Sequence, residues 1–241
     1  MFVGTERTRV LIDAGLSRRE ITKRLAAIGE SVDTLDAILV THEHSDHTCG
    51  LVSMARKLRI PIFLTRHTAP TIDWATCEPR LEKFQAGCGF SIGDFDVTSF
   101  TIPHDAIDPV GYLLRANGIK IGVVTDLGYV PDSIKVHLRC ADLLLLESNH
   151  DLGMLKDGPY PWSIKQRVMS RRGHLSNEVV ADFIREDLDG TVSTLILGHL
   201  SEHNNHPELV RQAAAKALDC RALFTKLVIS EPGTQSEVFV Y

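Results

Sequence analysis

The apolar run Ala37-Ile38-Leu39-Val40 passes without a spacer into Thr41-His42-Glu43-His44-Ser45-Asp46-His47. A short run of this kind reads as a strand buried in the core (DAILVT, 36–41), and it delivers the polar residues to its exposed end, where a rigid scaffold can aim them. Alternate residues of an extended segment share a face, so His42 and His44 can grip one cation together. Asp46 and His47, where the chain turns, can address a second. Imidazole and carboxylate donors suit zinc, iron or manganese. The competing reading is a polar loop with chance histidines, which three histidines and an aspartate within six residues oppose.

The rest of the chain alternates short β-branched runs with helical stretches. Strands are predicted at 10–13, 61–64, 95–102, 111–115, 119–125, 143–148 and 193–200, with Asn117-Gly118 as a hairpin turn. Helices are predicted from Arg18 to Ile28, from about Cys49 to Lys57, from about Asn177 to Leu188 with Val179, Val180, Phe183 and Ile184 facing inward, and from Pro207 to about Leu218. The polar segment 151–172, with Gly158, Pro159 and Pro161, reads as a long excursion over the surface. Hairpins mixed with interleaved helices point to two sheets sandwiched between helices. The 241 residues suit one large domain or two small ones, of which one is preferred, and 44% apolar residues supply an ordinary core. A net charge of -5 carries no global signature of a nucleic-acid binder, although local basic patches are compatible with it. No window holds eighteen consecutive apolar residues, and no apolar signal core follows the N-terminus. The five cysteines, odd in number and without a CxxC pair, fit a reducing compartment, and the expectation is a cytoplasmic protein without a membrane span.

Thr41–His47 resembles the HxHxDH motif of the metallo-β-lactamase superfamily. That resemblance implies an α/β fold, an αββα sandwich of two mixed β-sheets flanked by helices, in a single domain over 1–241. It also implies two divalent metal ions, zinc first, with manganese or iron as alternatives. His104, in TIPHDAIDPVGY, fills the place of the third histidine. Asp126, in GVVTDLGY, fills that of the bridging acid, and His199, in LILGHLS, that of the late histidine. By the resemblance, His42, His44 and His104 hold one ion, Asp46, His47 and His199 hold the other, and Asp126 bridges. LIDAGLS, HDAIDPVGY, LLLLESNHD, YPW, RRGHLSN and LGHLSEHNN together are similar to the WalJ/YycJ group of exonucleases. This implies degradation of double-stranded DNA from the 5′ end, with DNA as partner and DNA repair as setting. Members of that group begin with a strand and a Ser/Gly-rich turn ahead of a stretch like FVGTERTRVLIDAG. Here Met1 stands beside that point, so the first strand is expected to be absent or the start to have been assigned late, and an absent strand would leave a sheet edge unpaired.

The chemistry implied is attack on phosphorus by a water that Asp46 and two cations activate. The leaving oxygen then needs a proton. His174, in SRRGHLSN, resembles the proton-donating histidine of RNase Z-type enzymes; the alternative is a surface histidine before the helix at 177. His150 either lines the site or bonds its own loop. Lys165, Arg167, Arg171 and Arg172 form a basic strip that either holds a phosphate backbone or is a solvated face. Tyr160 and Trp162 either stack on a base or pin their loop. Asp13 either bonds a ligand histidine or stabilises its own turn. Cys49 is expected to pack beneath the site, Glu43 to be structural or solvent-facing, and His67, His137, His203 and His206 to be superficial. Three rival readings remain. One is a hydrolase of a small thioester, lactone or cyclic phosphodiester, one a di-iron redox protein, and one a binding module without metal. Oligomeric state is not legible.

Overall fold

The structure is a computed structural model and describes residues 1–75 and 77–241. The backbone groups into two compact units. The first comprises Met1–Thr101 with Ala106–Val110, and the second Ile102–Asp105 with Gly111–Tyr241. The chain carries two mixed β-sheets, flanked by helices.

The first unit opens with β1 (Phe2–Gly4), antiparallel to β2 (Arg9–Ile12), with Val3 opposite Val10. Next come α1 (Arg18–Ala27), β3 (Ala37–Leu39), α2 (Ser45–Thr48), α3 (Leu51–Leu58), β4 (Ile62–Thr65) and β5 (Leu81–Phe84). Strands β2 to β5 are parallel and lie in chain order, so their connections are crossovers, and α1 and α3 occupy two of them. Ser17 caps α1 by accepting a hydrogen bond from Glu20 N, and Ile21 and Leu25 face inward, as their spacing predicts. Their partners in the core include Leu11, Ile38, Val40, Leu51, Met54 and Leu64. The edge of β2 that the sequence left open is covered, because residues 2–4 pair with it. A hairpin of β6 (Gly89–Ile92) and β7 (Phe95–Thr101) completes this unit.

In the second unit, β8 (Val110–Ala116) and β9 (Ile119–Val124) form the predicted hairpin. Asn117 and Gly118 have φ of 53° and 82°, as a two-residue turn matching strand twist requires. Then follow α4 (Asp132–Leu138), β10 (Leu143–Glu147), α5 (Leu152–Asp157), α6 (Trp162–Val168), α7 (Asn177–Glu186), β11 (Thr194–Gly198), α8 (Pro207–Cys220) and β12 (Lys226–Ile229). The strand order is β12-β11-β10-β9-β8, with β9 to β12 parallel. Helix α7 packs on α8. Two expectations need correction. Segment 151–172 is not a loop but carries α5 and α6, which its prolines merely separate; Pro161 is the N-cap of α6, where a missing N–H is harmless. Val179 is exposed, because Val180, Phe183 and Ile184 already fill the inward stripe of α7. Among the described residues, no helix is long and apolar enough to cross a membrane.

Candidate metal centre

In the first unit the donors gather behind β3. His42 Nε2 and His44 Nδ1 lie 3.0 Å apart, with ring centroids 4.6 Å apart, and the His42 and His47 centroids are separated by 4.2 Å. His44 is the N-cap of α2, whose first turn carries Asp46 and whose last carries His47; Asp46 Oδ2 stands 3.7 Å from His47 Nε2. Asp13, just past β2 with φ of 58°, orders this group. Its Oδ2 accepts from His47 Nδ1 at 2.8 Å and from Thr41 Oγ1 at 2.9 Å, and its Oδ1 accepts from Thr41 N at 2.8 Å. Thr41 Oγ1 lies 3.0 Å from His42 Nδ1 and, having given its proton to Asp13, accepts there. Both rings are thereby held with Nδ1 protonated, which leaves Nε2 as the ring atom that could ligate a cation. Burial pushes the Asp13 carboxyl up, but the charge of His47 and the hydrogen bonds from His47 and Thr41 outweigh this and leave it below its ordinary value. The turn at 13–15 also docks on the motif through Ala14 N to His47 O at 2.8 Å. A Cβ on Gly15 would lie 1.6 Å from Asp46 O, so the approach demands glycine.

In the second unit, sheet register gathers the donors. Val124 of β9, Leu146 of β10 and Leu197 of β11 are partners across three adjacent parallel strands. Asp126, Glu147 and His199 follow them by one or two residues, at the carboxyl ends where α/β sheets carry ligands. Asp126 and His199 have φ of 63° and 57°, a left-handed bend that stores strain at each strand end. Asp126 Oδ1 lies 3.4 Å from His199 Nε2 and 3.8 Å from His104 Nε2. His104 is buried, and its Nδ1 lies 3.3 Å from Gly173 O, to which it donates. Burial holds its pKa below the ordinary value, as suits a neutral ligand, although the charge of Asp126 opposes this.

Glu147 was not singled out from sequence. Fully buried, it accepts at Oε2 from His174 Nδ1 and His199 Nδ1, each at 2.8 Å, and at Oε1 from Leu175 N at 2.8 Å. Burial raises its pKa, but the charges and hydrogen bonds of His174 and His199 prevail and lower it to about 2. An ionised acceptor fixes both imidazoles with Nδ1 protonated. The oxygens of Glu147 are thus engaged, and its part is to orient the two histidines. For His174, burial works against the charged ring, yet the Glu147 carboxylate outweighs it and raises the pKa. The available signal was an acid closing an all-leucine run, Leu143 to Leu146, because a charge buried there needs partners.

The other candidates fall unevenly. His150 is buried, its carbonyl accepts from Asn177 N at 2.9 Å, and burial lowers its pKa. Lys165 is buried and donates Nζ to Lys156 O at 2.6 Å, so it lies outside any solvent-exposed strip. Arg167 pairs with Asp105. Arg171 and Arg172 are exposed on the turn before His174. Cys49 is exposed rather than packed beneath the site, since Gly50, Leu51 and Met54 take the inward positions there. Glu43 accepts from Ile107 N at 2.9 Å, a structural bond.

The donor set fits divalent metal ions. Two ligand atoms at 2.0–2.1 Å from a tetrahedral ion lie roughly 3.3 Å apart, close to the His42–His44 and Asp126–His199 separations. Residues 8–199 match the model of the β-lactamase superfamily domain. The chain is 37% identical to "Exodeoxyribonuclease YycJ" of Bacillus anthracis, over 91% of this chain and 84% of that protein. It is 36% identical to "Exodeoxyribonuclease WalJ" of Streptococcus pneumoniae, over 90% of this chain and 82% of that one. Among solved structures, the metallo-β-lactamase fold protein YhfI of Bacillus subtilis superposes with a TM-score of 0.72 at 18% identity, over 97% of this chain and 88% of that one. On domain model, relatives and architecture together, the chain belongs to the β-lactamase superfamily and has the metallo-β-lactamase fold.

Proposed function

We propose that the protein is a phosphodiesterase dependent on two divalent metal ions, zinc in the first instance, and that it degrades duplex DNA from the 5′ end. The ligand set proposed is His42, His44 and His104 for one ion and Asp46, His47 and His199 for the other, with Asp126 shared. Bound cations there supply the charge that makes a water acidic and that neutralises phosphoryl oxygens. The chain's own residues do the rest. Asp13, directly and through Thr41, aims His47 and His42, and Glu147 aims His199. His174, with Nδ1 given to Glu147, keeps Nε2 for a proton, and its raised pKa suits a donor to the departing sugar oxygen.

The observation that carries this reading is the Glu147 carboxylate shared by His174 and His199. It sets a proton-holding imidazole beside a proposed ligand, which hydrolysis with a poor alkoxide leaving group requires and metal storage does not. The choice of DNA rests on the two relatives named exodeoxyribonucleases, which this chain matches over nine-tenths of its length. The test uses 5′-end-labelled duplex DNA, single-stranded DNA, RNA, and a thioester and a lactone, each with zinc, manganese and iron. The expected result is label released from the duplex end by the wild type and its loss in His44→Ala. Equal cleavage by both proteins, or turnover of the small esters alone, overturns the assignment.

A further inference from the structure

Trp162 opens helix α6 on the outside of the second unit and is 61% exposed. An indole left in water stabilises little of its own chain. The neighbouring aromatic is engaged differently: the Tyr160 ring stands edge-on to His203, with centroids 6.0 Å apart. Tyr160 thus pins the segment, while Pro161, as N-cap, fixes where the helix begins and so where Trp162 projects. The helix is tied down by the buried Lys165, which bonds the carbonyl of Lys156, and by the Arg167–Asp105 pair. Trp162 is therefore a large flat surface on a rigid mount.

The other end of α6 leads through residues 170–173 into His174. This turn packs closely against its neighbours. A Cβ on Gly128 would fall 2.3 Å from the carbonyl carbon of Arg171, and one on Gly173 would fall 2.1 Å from Val168 O. Two guanidinium groups sit on it. Arg171 lies over the Tyr129 ring, 4.0 Å from its centroid, and Arg172 Nε donates to His104 O at 3.2 Å. Their contacts among the described residues are thus a ring and a carbonyl, neither of which neutralises a guanidinium, whereas the adjoining Arg167 is paired with Asp105. In a chain of net charge -5, two adjacent exposed arginines offer the charge and the donors that an anion such as a phosphate takes. Trp162 to Met169 spans seven helical steps, about 10 Å, the length of about three stacked nucleotides.

We propose that this surface holds a short unpaired stretch of nucleic acid, with one base stacked on Trp162, the backbone phosphates on Arg171 and Arg172, and the strand end delivered to His174. The inference rests on the nuclease reading and adds the form of the substrate: the strand is taken single, so a duplex end enters only after it frays. An exposed aromatic platform one helix length from basic groups combines the two elements that bind single strands without regard to sequence.

Of the two tryptophans, Trp74 is removed by Trp74→Phe, so that fluorescence reports Trp162 alone. A short oligothymidylate is added with chelator present to stop turnover, and the anisotropy of a dye on the oligonucleotide follows binding independently. The expected result is quenching of Trp162 in step with binding. Trp162→Ala should bind about 10-fold more weakly, and Trp162→Phe, which keeps a ring, by less. Arg171→Ala and Arg172→Ala should each flatten the salt dependence. With metal restored, the wild type should degrade duplexes with an unpaired 5′ tail faster than blunt ones, and Trp162→Ala should lose that preference. Unchanged Trp162 emission at saturation by anisotropy, or unchanged affinity of Trp162→Ala, overturns the proposal while cleavage still upholds the nuclease reading. Absence of both binding and cleavage overturns the two together.

Discussion

Glu147 shows how much one buried carboxylate can control. Its charge is offset by two imidazole N–H groups and the backbone N–H groups of Asp126, Leu127 and Leu175, and in return it sets the orientation of both rings. Glu147→Gln keeps the shape but weakens the acceptor, and an amide imposes no tautomer on His174 and His199. Metal affinity should fall about 10- to 100-fold, the usual cost of losing such an outer partner. Turnover should fall further, because the proton held at His174 loses its counter-charge. Zinc titration and initial rates on the same preparation check this, and wild-type values in both would remove Glu147 from the site. Asp13 does for His47 what Glu147 does for His199, yet only Asp13 drew attention in the sequence, as the acid of a DAG turn. Glu147 is hidden because a run of leucines reports burial of a strand and says nothing about what its last side chain meets. The histidines of the motif were legible for the opposite reason, since six adjacent residues present their chemistry together. His104, Asp126 and His199 stand alone in sequence and were found by resemblance to a family pattern.

At the scale of elements, continuous apolar runs betrayed the buried strands β3, β10 and β11, the Asn-Gly turn betrayed the β8–β9 hairpin, and helical spacing or a first-turn proline betrayed α1 and α8. The short elements β1, β5, β6, β12, α4, α5 and α6 went unread. Runs of three to seven residues carry too few positions to establish a period, and these strands, half exposed, lack the continuous apolar run that reveals a buried one. Helix α7 gained its place through a contact that no period reveals. Ser148 Oγ and Asn205 Nδ2 donate to Asn177 Oδ1, at 2.8 and 3.0 Å, and Asn177 Nδ2 donates to Asn205 Oδ1 at 2.8 Å. Asn205 also bonds Ser148 O at 2.9 Å. This buried network ties the end of β10, the start of α7 and the loop after β11. Asn177→Ala strands the partners without water, and the expected cost is about 1–3 kcal/mol. Urea unfolding should show a lower midpoint at unchanged slope; an unchanged midpoint would mean that water or repacking replaces the amide.

For the whole molecule, metal binding and stability are linked, since ions that bind only the folded chain stabilise it by mass action. Zinc at 100 times its dissociation constant contributes about 2.7 kcal/mol per site. For a chain of this size each kcal/mol moves the midpoint by about 2–4 °C, so chelation should lower Tm by about 5–10 °C or more, and returning zinc should restore it. A melting curve indifferent to chelator would contradict a loaded centre. Asp13, Asp126 and His199 all bend left-handed at strand ends, where glycine would rest at ease and these residues do not. Three of the site's side chains are thus carried on backbone that glycine would adopt at lower cost. A library of this gene, screened for yield and heat tolerance with chelator present and without regard to turnover, should drift towards glycine or asparagine at Asp126 and His199, and the hardiest survivors should be inert.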